Sequence, residues 1–298
     1  MLPKQAATYL DVNAGAHLHP AVSEALRGLI QEQDVLGSNP SSVHAHGRKA
    51  KQYLAEARER VALSLGSPSD DLVFTSSGTE ANQLAIRSVL EPLTKPHWIT
   101  TPVEHECNLK MQEWLRERGG TVSLLPVDSN GAPIISELTK LIRPETALVT
   151  AIWVNNETGV ITDVEALARE CREYNKGRGI PLHLDGAQAW GKIPLNLKKL
   201  GVTYAAFAAH KIGALSGTGV LYLKSGAPLV AQMKGKQERG RRGGTENVLG
   251  IVAAGVAAHE ATKNKVNDEV DQKKDETKAK LEEQQNKMKE KLPFSFGN

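Results

Sequence analysis

Short apolar runs alternate along the chain with amphipathic stretches. The runs fall at 72–75 (LVFT), 97–101 (HWITT), 121–125 (TVSLL), 147–154 (ALVTAIWV), 181–185 (PLHLD), 204–210 (YAAFAAH) and 219–223 (GVLYL), and they read as strands. Between them lie helix-like segments at 78–90, 107–118, 135–142 and 164–176. That rhythm predicts an α/β domain with a mostly parallel sheet covered by helices on both faces. In such sheets ligands sit at the carboxyl ends of the strands. Five runs end in polar or glycine-containing sequence, TSSGTE, TPVEHE, VNNETG, DGAQ and HK, so five strand ends are expected to converge on one site.

From about His259 to Lys291 the pattern changes to dense Lys and Glu, with Val266, Val270, Leu281 and Met288 as a thin apolar stripe. Such a helix needs a partner or it frays. The expected organisation is a large domain over 1–258, then a charged helix over 259–298 leading to an incomplete second domain. A chain of 298 residues with 40% hydrophobic and 24% charged content buries a substantial core. Net charge is only +3 and the basic residues are spread out, so nucleic acid is not implied. No window approaches the roughly 20 apolar residues of a membrane span, and the N-terminus lacks a signal-peptide core. Two cysteines, Cys107 and Cys171, form no disulfide framework and suit a reducing, cytoplasmic setting.

Several strand ends carry residues with chemistry. Lys211 follows His210 at the end of an apolar run; a partly desolvated lysine becomes a usable amine for a Schiff base, whereas an ordinary loop lysine is solvated. Asp185 ends another run 26 residues earlier. A buried acid there suits a protonated pyridine nitrogen, with a helix cap or a metal site shared with His183 as the alternatives. LVFTSSGTEAN passes from strand to helix through Gly78 and Thr79, an arrangement that presents N–H groups to a phosphate or forms a plain capping box with Glu80. His105 could stack on a planar ring and shuttle protons, and Asn156 could bond a phenolate or carboxylate; the alternatives are a structural histidine and a turn.

Taken together, TYLDVNAG, GSNPSSVHAHGRKA, FTSSGTEAN, TPVEHE, VNNETGV, HLDGAQAWGK, AHK and QERGRRGGTENV occur in an order that resembles the cysteine desulfurases of the class V aminotransferase group. The resemblance covers about residues 8–258 and implies the large-domain fold of the pyridoxal-phosphate (PLP) transferases. It implies Lys211 as the cofactor lysine, Asp185 against the pyridine nitrogen, Gln188 and Asn156 near the ring hydroxyl, and His105 stacked on the ring. Gly78, Thr79 and His210 would hold the phosphate, and Asn156 would also face the substrate carboxylate. Thr245 would reach the phosphate of a second subunit, so a homodimer is implied. The implied reaction removes sulfur from L-cysteine to give alanine and a persulfide for a sulfur-acceptor protein, in the service of iron–sulfur cluster assembly.

The chain departs from the family in three places. Ala208 stands where the family has a phosphate-binding serine, and the stretches GAL and KGK replace family loop sequences. The family's nucleophilic cysteine and carboxylate-binding arginine belong to its small domain and have no counterpart here. Cys171 is expected in the core, and Cys107 does not match the nucleophile position. Two other functions therefore stay open: a selenocysteine or other carbon–sulfur lyase, and an inactive remnant of the fold that serves as a binding or dimerisation partner.

Overall fold

The structure, a computed structural model, describes residues 8–177 and 179–263. Seven strands form one sheet: β1 (Leu72–Thr75), β2 (His97–Thr100), β3 (Thr121–Leu124), β4 (Thr146–Ile152), β5 (Leu182–Asp185), β6 (Tyr204–Ala208) and β7 (Gly219–Leu223). Their order is β1-β7-β6-β5-β4-β2-β3, with β7 antiparallel to both neighbours and the other pairs parallel. The expected mostly parallel sheet is therefore present, and all seven expected strands are in it. One changed boundary matters: the run expected over 204–210 stops at Ala208, and a 3-10 turn over Ala209–Ile212 lifts His210 and Lys211 out of the sheet.

Strands β5 and β6 are buried at every position because they are flanked by other strands and covered on both faces. This is why their sequence runs apolar without alternation. The helices are α1 (Pro20–Gln31), α2 (Gln33–Leu36), α3 (Ala45–Leu65), α4 (Gly78–Leu90), α5 (Glu106–Glu117), α6 (Leu138–Leu141), α7 (Val164–Gly177), α8 (Leu197–Leu200) and α9 (248–263). On one face α4 and α5 pack Leu84, Ile86 and Leu115 against Val73, Trp98, Leu148 and Leu221. On the other, α3, α7 and α9 bring Leu54, Val61, Leu167 and Ala254 to Phe74, Leu184 and Phe207.

Helices α1 and α3 are not among the elements expected from the sequence. Each begins at a histidine whose Nδ1 accepts a backbone N–H, His19 from Ala21 and His44 from Gly47, both at 3.3 Å. A search for the usual Ser, Thr, Asp or Asn caps passes over them. The domain boundary expected at 258 falls inside α9, which starts ten residues earlier at 248. The charged segment beyond 263 lies outside the described residues. No helix among the described residues is long and apolar enough to cross a membrane.

The loop over 233–247 is fastened to the rest of the domain by three ion pairs, one of them Arg239 with Asp70. Glu238, at φ 47°, meets Arg58 at 2.5 Å and accepts the Phe74 N–H at 2.9 Å. Arg58 also donates to Leu72 O at 2.8 Å and stacks 4.7 Å from the Phe74 ring centre. Arg242 grips Glu80 with Nε at 2.8 Å and Nη2 at 3.2 Å. These bonds join segments more than 160 residues apart.

Candidate active site

All five strand ends open into one cleft of about 540 Å³. After β1, Ser77 caps α4 by accepting the Glu80 N–H at 3.1 Å, and Glu80 accepts the Ser76 N–H at 2.7 Å. Gly78 and Thr79 thus stand on the first turn, where helix N–H groups lack intrahelical acceptors and the dipole end is positive. A Cβ on Gly78 would lie 3.1 Å from Ala208 Cβ, so glycine permits the helix start to sit directly on the end of β6. His210 faces the same cleft, and its pKa is lowered, first by burial and then by Lys211.

Asp185 at the end of β5 is 3% exposed. It accepts Asn82 Nδ2 at 2.8 Å and the Ala187 N–H at 3.0 Å. Burial raises its pKa, while Ala187, Asn82, His105 and Lys211 pull it down. Lys211 is half-buried and its pKa is lowered, chiefly by desolvation, against the opposing pull of Asp185 and Asp11. Its amine donates to Asn13 O at 2.5 Å and Ala14 O at 3.1 Å. Gln188 donates to the same Asn13 carbonyl at 3.0 Å. Lys192 bonds Gln188 Oε1 and reaches Asn13 Oδ1 at 3.2 Å. The segment from Asp11 to Ala14, part of the run TYLDVNAG, is therefore one wall of the cleft, although no residue in it was given a role from the sequence.

His105 is the N-cap of α5, its Nδ1 accepting the Cys107 N–H at 3.2 Å with Cys107 Sγ at 3.1 Å. Beneath it, buried Glu104 accepts from Thr101 Oγ1 at 2.7 Å, Ile152 N at 2.8 Å and Asn108 Nδ2 at 3.1 Å. Burial pushes Glu104 up to about 7. It braces the ends of β2 and β4 and the start of α5, and so fixes the loop that carries His105. Asn155 plays a similar part after β4, accepting the Glu157 and Thr158 N–H groups at 2.9 Å, while its neighbour Asn156 lines the cleft.

Of the residues singled out in the sequence, Gly78, Thr79, His105, Asn156, Asp185, Gln188, His210 and Lys211 meet in this cleft. Thr245 does not: it is exposed in a separate depression beside Ser76 and Asn247. His183 is fully buried within the sheet, with burial lowering its pKa to about 3, and is not part of the cleft wall. Asn82, Glu104, Asn13 and Lys192 were missed. Asn82 lies one helical turn after Gly78, within the quoted run FTSSGTEAN, and that position on the same helix face is the signal that was available.

Cys107 lines the cleft with its Sγ 3.1 Å from His105 Nδ1, whereas Cys171 lies in the core. Burial pushes both thiols up to about 12. At pH 8 the thiolate fraction of a thiol at 12 is about a thousandfold below that of one at the ordinary 9.0. Iodoacetamide at pH 8 should therefore leave Cys107 and Cys171 unmodified in the folded chain and alkylate both after denaturation, as read by mass spectrometry. Rapid labelling of native Cys107 would show that its thiol is activated after all.

Residues 8–292 match the family profile described as Aminotransferase class-V. A cysteine desulfurase of Nostoc sp. is 43% identical over 255 residues, which is 84% of this chain and 61% of that protein. The cysteine desulfurase NifS of Azotobacter vinelandii is 38% identical over 257 residues, 85% of this chain and 62% of its own length. Among solved structures, a NifS-like protein superposes with a TM-score of 0.80 at 38% identity, covering 85% of this chain and 68% of the other. A structure described as SspA in complex with cysteine gives 0.79 at 31% identity, covering 85% and 72%. This chain spans about three-fifths of the length of the curated relatives it matches.

Proposed function

Because the chain belongs to the class-V aminotransferase family, we propose that it is the cofactor-binding body of a cysteine desulfurase, which uses pyridoxal 5′-phosphate to release sulfur from L-cysteine. The observation that carries this reading is the meeting of a half-buried amine, a buried carboxylate and a glycine-headed helix start in one cleft. The residues fit the cofactor. The first turn of α4, at Gly78 and Thr79, lines the cleft with N–H groups that lack intrahelical acceptors, and His210 stands beside it, which suits a phosphate. Ala208 adds no hydroxyl there, so this cradle has one donor fewer than the family pattern. Asp185 forms no ion pair with a side chain among the described residues, and a ring N–H⁺ would give its buried charge a partner.

When bound, the cofactor supplies an electron sink for charge developing at the substrate α-carbon. Lys211 would hold the cofactor, and when its amine is free its lowered pKa would suit it to take and return the Cα proton. His105 stands at the cleft mouth as a second proton carrier. Asn156 and Gln188 offer amides to the ring hydroxyl, and Asn156 also to the substrate carboxylate. The likeness to a structure holding cysteine supports an amino-acid substrate. Thr245 is exposed and away from its own chain's cleft, which supports service to a second subunit's phosphate in a homodimer. The unpaired cysteines support a reducing cytoplasmic setting.

The acceptor of the sulfur is a thiol other than Cys107 and Cys171, in keeping with a separate sulfur-acceptor protein. The full chain, given pyridoxal phosphate, L-cysteine and excess dithiothreitol, should form alanine and sulfide in equal amounts while two thiols close to a disulfide. The burial of both cysteines favours one second reading, a carbon–sulfur lyase that needs no thiol and would give pyruvate, ammonia and sulfide instead. Pyruvate without alanine would overturn the desulfurase assignment in favour of that lyase.

A further inference from the structure

Asn82 is 2% exposed, yet its side chain touches two parts of the site and reaches a third through Cys107. Its Nδ2 donates to Asp185 Oδ2 at 2.8 Å and lies 3.6 Å from Cys107 Sγ, while Cys107 Sγ lies 3.1 Å from His105 Nδ1. Its Oδ1 is buried with no partner among the described residues. A buried amide oxygen left unbonded is costly. The orientation is nevertheless decided, because the reverse flip would set oxygen against the Asp185 carboxylate. The other carboxylate oxygen, Oδ1, takes the Ala187 N–H, so two donors from different elements fix the plane of the group.

Resting on the cofactor reading above, we infer that Asn82 is a positioning residue: it holds the Asp185 carboxylate in the orientation that receives the cofactor's ring nitrogen, and through Cys107 ties it to His105. Its donation also opposes the burial that favours a protonated Asp185. The other groups acting on that carboxylate are His105 and Lys211, which pull its pKa down. Glu104 and Cys107, beside the start of α5, also interact with it. His183 precedes it by two on β5 and stays neutral.

The test titrates the full 298-residue chain with pyridoxal phosphate across a range of pH, following the visible band of the bound cofactor. Asn82→Leu keeps much of the volume and removes the donor; its cofactor dissociation constant should rise about tenfold to a hundredfold. With the donor gone, Asp185 keeps its proton to higher pH, so binding should weaken on acidification from a higher pH than in the unsubstituted chain. Asn82→Ser, which restores a hydroxyl donor, should recover part of the affinity and stay readable if the leucine variant does not fold. A dissociation constant and pH profile unchanged in both variants, or a serine variant no better than a folded leucine one, would overturn the role of Asn82 alone. A missing band in the unsubstituted chain would overturn the cofactor reading and this role with it.

Discussion

A Lys211→Ala chain mixed with pyridoxal phosphate is expected to show no visible band of a lysine-linked cofactor, and turnover of L-cysteine should fall on the order of a thousandfold or more. The expectation is specific because two amines stand close together. Lys192 and Lys211 both have pKa values lowered first by burial, and both bond to Asn13. They differ in place. Lys211 lines the cleft from the turn after β6, whereas Lys192 is spent on Gln188 and the Asn13 side chain behind it. Lys192→Ala should therefore keep the band. A band that survives Lys211→Ala and disappears with Lys192→Ala would move the cofactor to the other amine and sink the assignment. No band in any of the three chains would leave the inactive remnant as the better account.

The largest expected loss of stability comes from Arg58→Met. The side chains of Arg58 and Glu238 are 16% and 4% exposed, so removing the guanidinium leaves a buried carboxylate without its counter-charge. Breaking a buried pair from one side costs about 3–5 kcal/mol, and for a chain of this size that corresponds to a fall in Tm of roughly 10 °C. Glu238 also accepts the Phe74 N–H, so the loop over 233–247 should loosen first. Adding Glu238→Gln to Arg58→Met should cost less than the sum of the two single changes, since the stranded charge is then gone. Calorimetry reads both numbers; a change below about 1 kcal/mol for Arg58→Met would show that the pair is only a surface bridge.

The strands were legible because a sheet buried on both faces demands unbroken apolar runs such as YAAFA and GVLYL, and few other structures do. The convergence of TSSGTE, TPVEHE, VNNETG, DGAQ and HK followed from the geometry of parallel sheets alone. Helix α3 was not read, although Ala50, Leu54, Ala57, Val61 and Leu65 mark its buried stripe. Two of those five are alanines, which say little about a face, and its cap is a histidine. The end of β6 was placed two residues late because YAAFAAH stays apolar into the turn that carries Lys211. Asn82, Asn13 and Glu104 stand inside the runs FTSSGTEAN, TYLDVNAG and TPVEHE, but what each one bonds was not legible there. Their meaning lies in partners 103, 198 and 48 residues away along the chain, and local pattern holds no record of those meetings.

The Arg58–Glu238 pair has a further consequence at the border of the sheet. Among the described residues strand β1 bonds to β7 on one side only, and on the other its polar backbone would lie open to any passing extended chain. Arg58 takes the carbonyl of Leu72 and Glu238 takes the N–H of Phe74, so two side chains supply the acceptor and donor that a neighbouring strand would have brought. An ion pair therefore stands in for an eighth strand. Recruitment of further copies along that side is blocked for as long as the pair stays closed.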